Sequence, residues 1–220
     1  MTVSVVFNDR RFAEADVEPA LRAAARGEPP AAPKELHRDG GAWSHAFVGA
    51  LKGTPLWPAV GQALAALMAS GDDDEIRLAT NLQGAHFVMS GDALLTEALR
   101  LGAGGPMGQL FTLFRGLAMD PASPWDARLR AFAFHPLVGR AALPVYLRHD
   151  LPWVVAHVDE LIPRGAADLG RHFNLCGEAL SRAEIDGVEA ALGPVVAGWG
   201  SGCGQAFEAA MADLRARARL

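Results

Sequence analysis

Helix starts recur along this chain more regularly than any other signal, and they limit what it can fold into. Thr54-Pro55 and Ser123-Pro124 each set a capping hydroxyl before a proline. The fixed φ of proline and its missing N–H suit a first helical turn. Ser123-Pro-Trp-Asp126 and Ser181-Arg-Ala-Glu184 match the capping box, in which the side chain three residues on reaches back to the cap. Gly71-Asp72-Asp73-Asp74-Glu75 places carboxylates where the positive end of a helix dipole favours them, and Asp150 before Leu151-Pro152 reads as a further cap. Short helices joined by tight turns are what these starts predict.

Hydrophobic periodicity agrees. Val154, Val155, Val158, Leu161 and Ile162 form one apolar helical stripe, Leu169, Phe173, Cys176 and Leu180 a second, and Phe207, Met211, Leu214 and Ala218 a third. Leu110 to Ala118 is apolar on nearly every side except at Arg115, which predicts a central helix. Strand-type alternation is confined to Val3, Val5 and Phe7, too short to build a sheet upon. The expected fold is all-α, an array or irregular bundle of short antiparallel helices. Arg26 to Gly41 holds three prolines among mixed charges and reads as a linker. It divides the chain into residues 1–40, an N-terminal helix plus Pro-rich linker, and residues 41–220, a helical domain.

Two stretches echo one another. Asp73-Asp-Glu-Ile-Arg77 and Asp126-Ala-Arg-Leu-Arg130 share an acidic start, an aliphatic residue three later and an arginine four later. In this the chain resembles HEAT-like repeat proteins, whose helix pairs of roughly 40–47 residues stack side by side. The resemblance rests on these two stretches, implies stacked helix pairs and carries no catalytic residues. The alternative is an irregular bundle whose helices share start signals because every helix needs caps.

A formal charge of −5 and a pI near 5.8 argue against a nucleic-acid binder, which needs a basic face to neutralise phosphates. Cys176 and Cys203 are too few for a disulfide framework, and the N-terminal MTVSVVFNDRRFAEAD lacks the basic-then-apolar order of a secretory signal, so a cytoplasmic location is expected. Ala190 to Phe207 is uncharged and approaches the roughly 18–20 residues of a membrane span. Its Pro194, Ser201, Gln205 and five glycines suit no lipid-facing helix, and no membrane segment is expected.

Four chemistries compete for attention. Cys203, in GWGSGCGQAF, stands at a helix N-terminus where a dipole favours thiolate, with the amides of Gly204 and Gln205 beside it. The glycine-rich setting is similar to that of papain-like proteases. The base histidine and the aromatic residue that follow the cysteine in that family are absent, so a base would have to come from upstream, from His172 or His149. The plainer reading is a tight inter-helix turn around a small cysteine. Leu101 to Gly108 lacks the Lys-Ser/Thr pair of a phosphate loop, and reads as a helix stop at Gly102 and a restart at Pro106. His157 with Glu160 at i+3 is the closest approach to helical metal-ligand spacing, with His149 beyond a break at Pro152. No cofactor is expected. Trp43, Trp57, Trp125, Trp153 and Trp199 are spread evenly, and read as helix wedges or, for some, as binding anchors.

Two functions follow. The favoured one is a non-catalytic α-helical module that binds a protein partner, of adaptor or toxin-neutralising type. The alternative is a small cysteine-dependent hydrolase or transferase, or a small-ligand-binding protein, with its pocket between helices.

Overall fold

The computed structural model describes residues 4–30 and 40–218. It is 71% helical, and the sheet among these residues is one two-stranded hairpin, so the fold is all-α. Residues 31–39 of the linker, with Lys34 and His37, lie outside the described residues, as do Val3 and Arg219. The chain forms two compact units, Met1–Glu97 and Ala98–Leu220, and the division falls inside a helix rather than at the proline-rich linker. No helix among the described residues is long and apolar enough to cross a membrane.

The first unit opens with strands β1 (Ser4–Phe7) and β2 (Arg10–Ala13), followed by helices α1 (Glu14–Ala25), α2 (Gly40–Leu51), α3 (Trp57–Met68) and α4 (Asp73–His86). The alternation at Val5 and Phe7 does become a strand, because a partner follows at once. Asn8 and Asp9, at φ 48° and 60°, make the two-residue turn with both dihedrals positive that matches strand twist. Phe12 of β2 and Phe7 of β1 then meet Phe47 of α2, with ring centroids 4.8 and 5.4 Å apart, and Trp43 stacks on Phe47 at 4.7 Å. Helix α1 packs on α2, α3 and α4, where its Arg22 pairs with the buried Glu75. Asp72 caps α4 as its sequence predicts, accepting from the amides of Asp74 and Glu75 at 2.9 and 3.0 Å.

Helix α5 (Gly91–Leu101) spans the division. It ends at Gly102, whose φ of 64° marks the expected stop, and the next helix restarts just after Pro106.

The second unit holds α6 (Met107–Met119), α7 (Val138–His149), α8 (Leu151–Ala156), α9 (Val158–Leu161), α10 (Ala166–Phe173), α11 (Arg182–Ala197) and α12 (Ser201–Arg217). Short 3-10 segments lie at Ala127–Phe132 and Asn174–Cys176. Helix α6 packs along α7, with Phe114 set 5.0 Å from Phe132. Helix α7 is buried on almost all sides from Val138 to Leu147, more fully than its mixed sequence announces. The stripes predicted around Phe173 and Phe207 face each other where α10 meets α12, with the two rings 5.6 Å apart. The stripe from Val154 to Ile162 keeps its buried face although the helix breaks at His157 into α8 and α9.

Cap by cap, the structure sorts the predicted helix starts. The Ser181–Glu184 box forms at α11, with the Ser181 amide donating to the Glu184 carboxylate at 2.6 Å. Arg148, almost wholly buried, adds a 2.7 Å ion pair to the same carboxylate and reaches the carbonyls of Ala118 and Asp120 at 3.2 Å, tying the end of α6 to the start of α11. Thr54 turns its hydroxyl back to the Leu51 carbonyl at 2.7 Å, and α3 begins after it, at Trp57. Ser123 starts no helix: its hydroxyl is buried without a partner, and Asp126 caps the following 3-10 segment through the Arg128 amide at 2.8 Å. The two echoing stretches therefore differ in form, one a 14-residue α-helix and the other a 6-residue 3-10 segment. Each has a capping aspartate, but Asp126 is the first residue of its stretch while Asp72 precedes the other.

Candidate binding surface

The 3-10 segment, the loop after it and helices α7 and α8 assemble an aromatic cluster. Tyr146 of α7 is buried, donates its hydroxyl to the Leu129 carbonyl at 2.7 Å and so fixes the 3-10 segment against α7. Burial pushes its phenol well above the ordinary range. Trp153 of α8 crosses Tyr146 edge-on at 5.8 Å, and His157 stacks on the indole at 4.7 Å. Arg130 lays its guanidinium 5.4 Å from the centre of the Trp153 ring and donates to Asp150 at 2.7 Å. Asp150, expected to cap α8, makes no cap bond; its carboxylate is committed to Arg130.

Phe134 extends this cluster outward, edge-on to Trp153 at 6.3 Å. It is 53% exposed and Leu137, three residues on, is 46% exposed. Elsewhere among the described residues, Val6 and Met107 are the exposed large apolar side chains. Two features hold the Phe134–Leu137 loop in place. The His135 ring nitrogen Nδ1 accepts from the amides of Leu137 and Val138 at 3.4 and 3.3 Å, a histidine serving as cap for α7. Gly139 presses on the loop so closely that a β-carbon there would stand 2.2 Å from the Ala133 carbonyl oxygen. The outcome is a ledge of Phe134 and Leu137, backed by Trp153 and flanked by arginine.

The sequence-derived candidates fall elsewhere. Cys203 lies in the first turn of α12, half-buried, and its thiol donates to the Arg164 carbonyl at 3.4 Å; among the described residues no hydrogen bond joins it to a histidine. The neighbouring Gly204 amide, which would otherwise be free to stabilise an oxyanion beside the thiol, is taken by the Gly200 carbonyl at 3.1 Å. Gly200 itself has φ 123°, a conformation side chains disfavour, and Gly204 sits against Ala197 of α11. The glycines make the tight α11–α12 turn.

His149 ends α7 stacked 6.0 Å from Trp125, and its Nε2 is buried without a partner. Burial, with Arg148 nearby, lowers its pKa. His172 on α10 is also lowered, to about 4, by burial first and then by Arg140. His157 engages the Trp153 carbonyl at 2.9 Å while Glu160 faces solvent, so that pair converges on no common point. Among the described residues no group of three or more His, Cys, Asp or Glu is placed to hold a metal ion. Sequence spacing gave no sign of His45 and His86, whose ring nitrogens lie 3.1 Å apart across α2 and α4.

No protein-family model, no curated protein and no solved structure matches this chain.

Proposed function

We propose that the chain is a non-catalytic α-helical binding module that recognises a protein partner through the ledge of Phe134 and Leu137. The observation that carries this reading is the pairing of two half-exposed apolar side chains with a rigid aromatic backing. Aromatic anchors set on a preorganised base bind with little loss of side-chain entropy, and Trp, Tyr and Arg dominate the energetics of interfaces. Arg130 stands over the backing indole and Arg140 lies one helical turn beyond Leu137, on the same face. A short partner segment with a large apolar residue beside an acidic one complements that surface.

The cysteine-dependent alternative has less support, since the Cys203 thiol is engaged by a main-chain carbonyl rather than by a base.

The test is the double variant Phe134→Asp/Leu137→Asp. Both positions are about half-exposed, so the folded state is retained with a small drop in Tm. A partner that forms a stoichiometric complex with the native chain binds this variant roughly tenfold or more weakly. Equal affinity for both proteins sinks the assignment of the ledge. Alkylation of Cys203 leaves binding unchanged; loss of binding on alkylation moves the site to the α11–α12 turn.

A further inference from the structure

Most arginines of the second unit face a carboxylate, as Arg130 faces Asp150 and Arg148 faces Glu184. Among the described residues Arg140 and Arg171 face none within ion-pair distance, and both line one cleft of about 160 Å³ with His172, Asp168 and Pro163. Arg140 reaches from α7 to the end of α10, where one Nη2 hydrogen bond of 2.6 Å to the Arg171 carbonyl fixes its plane. Its Nε is sealed in protein without an acceptor. The guanidinium is thus oriented by a neutral group and has no carboxylate within ion-pair distance among the described residues, which is costly for a partly desolvated cation.

We infer that this cleft is a binding site for a single carboxylate group.

Size and charge select that class. The cleft is smaller than the roughly 300–1,000 Å³ that encloses a whole small-molecule ligand, so it takes one end of a molecule. Guanidinium forks match the planar carboxylate, and two arginines line this cleft. Asp168 on the same wall leaves a local charge near +1, with His172 uncharged. A monoanion neutralises that charge, whereas a phosphate dianion overshoots it and meets Asp168 as a like charge. The carboxylate is that of a free small acid or of an acidic side chain, and the site stands whether or not the Phe134–Leu137 ledge binds a partner.

The probes are acetate, inorganic phosphate and chloride at constant ionic strength, followed through the His172 imidazole signal by NMR. Acetate produces saturable shifts with a midpoint in the millimolar range, phosphate binds more weakly, and chloride gives only a weak linear drift. Bound acetate also raises the pKa of His172, because a neighbouring anion favours the imidazolium. Arg171→Gln, at an exposed position, weakens acetate binding several-fold, and Arg140→Gln weakens it roughly tenfold or more. Asp168→Asn narrows the margin over phosphate.

A linear response to acetate matching that to chloride, or unchanged binding in Arg171→Gln, overturns the inference. So does tighter binding of phosphate than of acetate. A peptide pairing glutamate with a large apolar residue distinguishes the two sources. If it outbinds acetate and loses that margin in Phe134→Asp/Leu137→Asp, the carboxylate belongs to a partner; if the two are equal, it belongs to a free acid. Acetate binds the double variant as it binds the native chain, so failure of the ledge and failure of the cleft read out separately.

Discussion

Arg130 and Asp150 form an ion pair of 2.7 Å that holds a guanidinium over the Trp153 ring. One arginine on a 3-10 segment thereby joins the start of α8 to the indole behind the Phe134–Leu137 ledge. Asp150→Asn keeps the shape of the side chain and removes its charge. The arginine then swings toward water, the indole becomes wetter and Trp153 emission shifts to the red. Arg130→Ala does the same, and in both variants partner binding weakens several-fold. Unchanged Trp153 emission in both variants tells against the ion pair as the support of the indole. Replacing the other four tryptophans by phenylalanine isolates the Trp153 signal.

Gly139 is the second support of the ledge. An alanine there places a methyl group 2.2 Å from the Ala133 carbonyl carbon's oxygen, a backbone atom that moves only with its loop. Gly139→Ala is expected to cost about 1–3 kcal/mol in urea unfolding, in the range of overpacked sites. It also displaces the Phe134 loop and weakens the partner's grip. Gly108, within α6, meets nothing within 4 Å, and Gly108→Ala serves as the unstrained control, neutral to slightly stabilising. If the two alanine variants unfold at the same urea concentration, the close contact at Gly139 carries no weight.

The helical class and much of the helix order were legible in the chain, because caps and 3.6-residue stripes are local. The Ser181–Glu184 box and the Asp72 cap form as their sequences specify. The β-hairpin was not legible, because its four-residue strands depend on a turn at Asn8 and Asp9 and on Phe47 far along the chain. Ser123 and Asp150 carry cap chemistry that tertiary structure overrides, Ser123 by burial and Asp150 by a cation twenty residues away. The ledge was barely legible: Trp153 was one of five evenly spread tryptophans read as wedges or anchors, and Phe134 and Leu137 gain meaning only from their exposure beside it. The Arg140–Arg171 cleft was invisible, since the packing of α10 on α7 is what brings the two arginines to one cleft, and that is a property of the fold.

The two cysteines separate by environment. Cys176 is fully buried, and burial pushes its thiol up. Its alkylation proceeds only through opening of the fold and slows as stabilising conditions are imposed. Cys203 is half-exposed, its thiol resting on the Arg164 carbonyl, and it is modified in the native state. Intact mass after brief treatment with iodoacetamide at neutral pH shows one adduct, and peptide mapping places it at Cys203. An adduct at Cys176 under native conditions contradicts the burial of the Asn174–Cys176 segment against α7.

His172 links stability to pH with a defined sign. Its pKa falls from 6.5 to about 4 on folding, so the fold favours the neutral ring. The stability this contributes is fully present above pH 6.5 and is lost as pH falls toward 4, because the unfolded chain gains a proton that the folded chain resists. Between pH 7 and pH 4.5 the native chain should lose about 2 kcal/mol more than His172→Leu, measured by urea unfolding in carboxylate-free buffer. Carboxylates that titrate in the same range act in both proteins and cancel in the difference. Equal losses in the two proteins would show that His172 is solvated rather than buried. Adding acetate to the native chain reduces the excess loss, because an anion beside the ring offsets the charge of Arg140 and restores part of the imidazole's basicity.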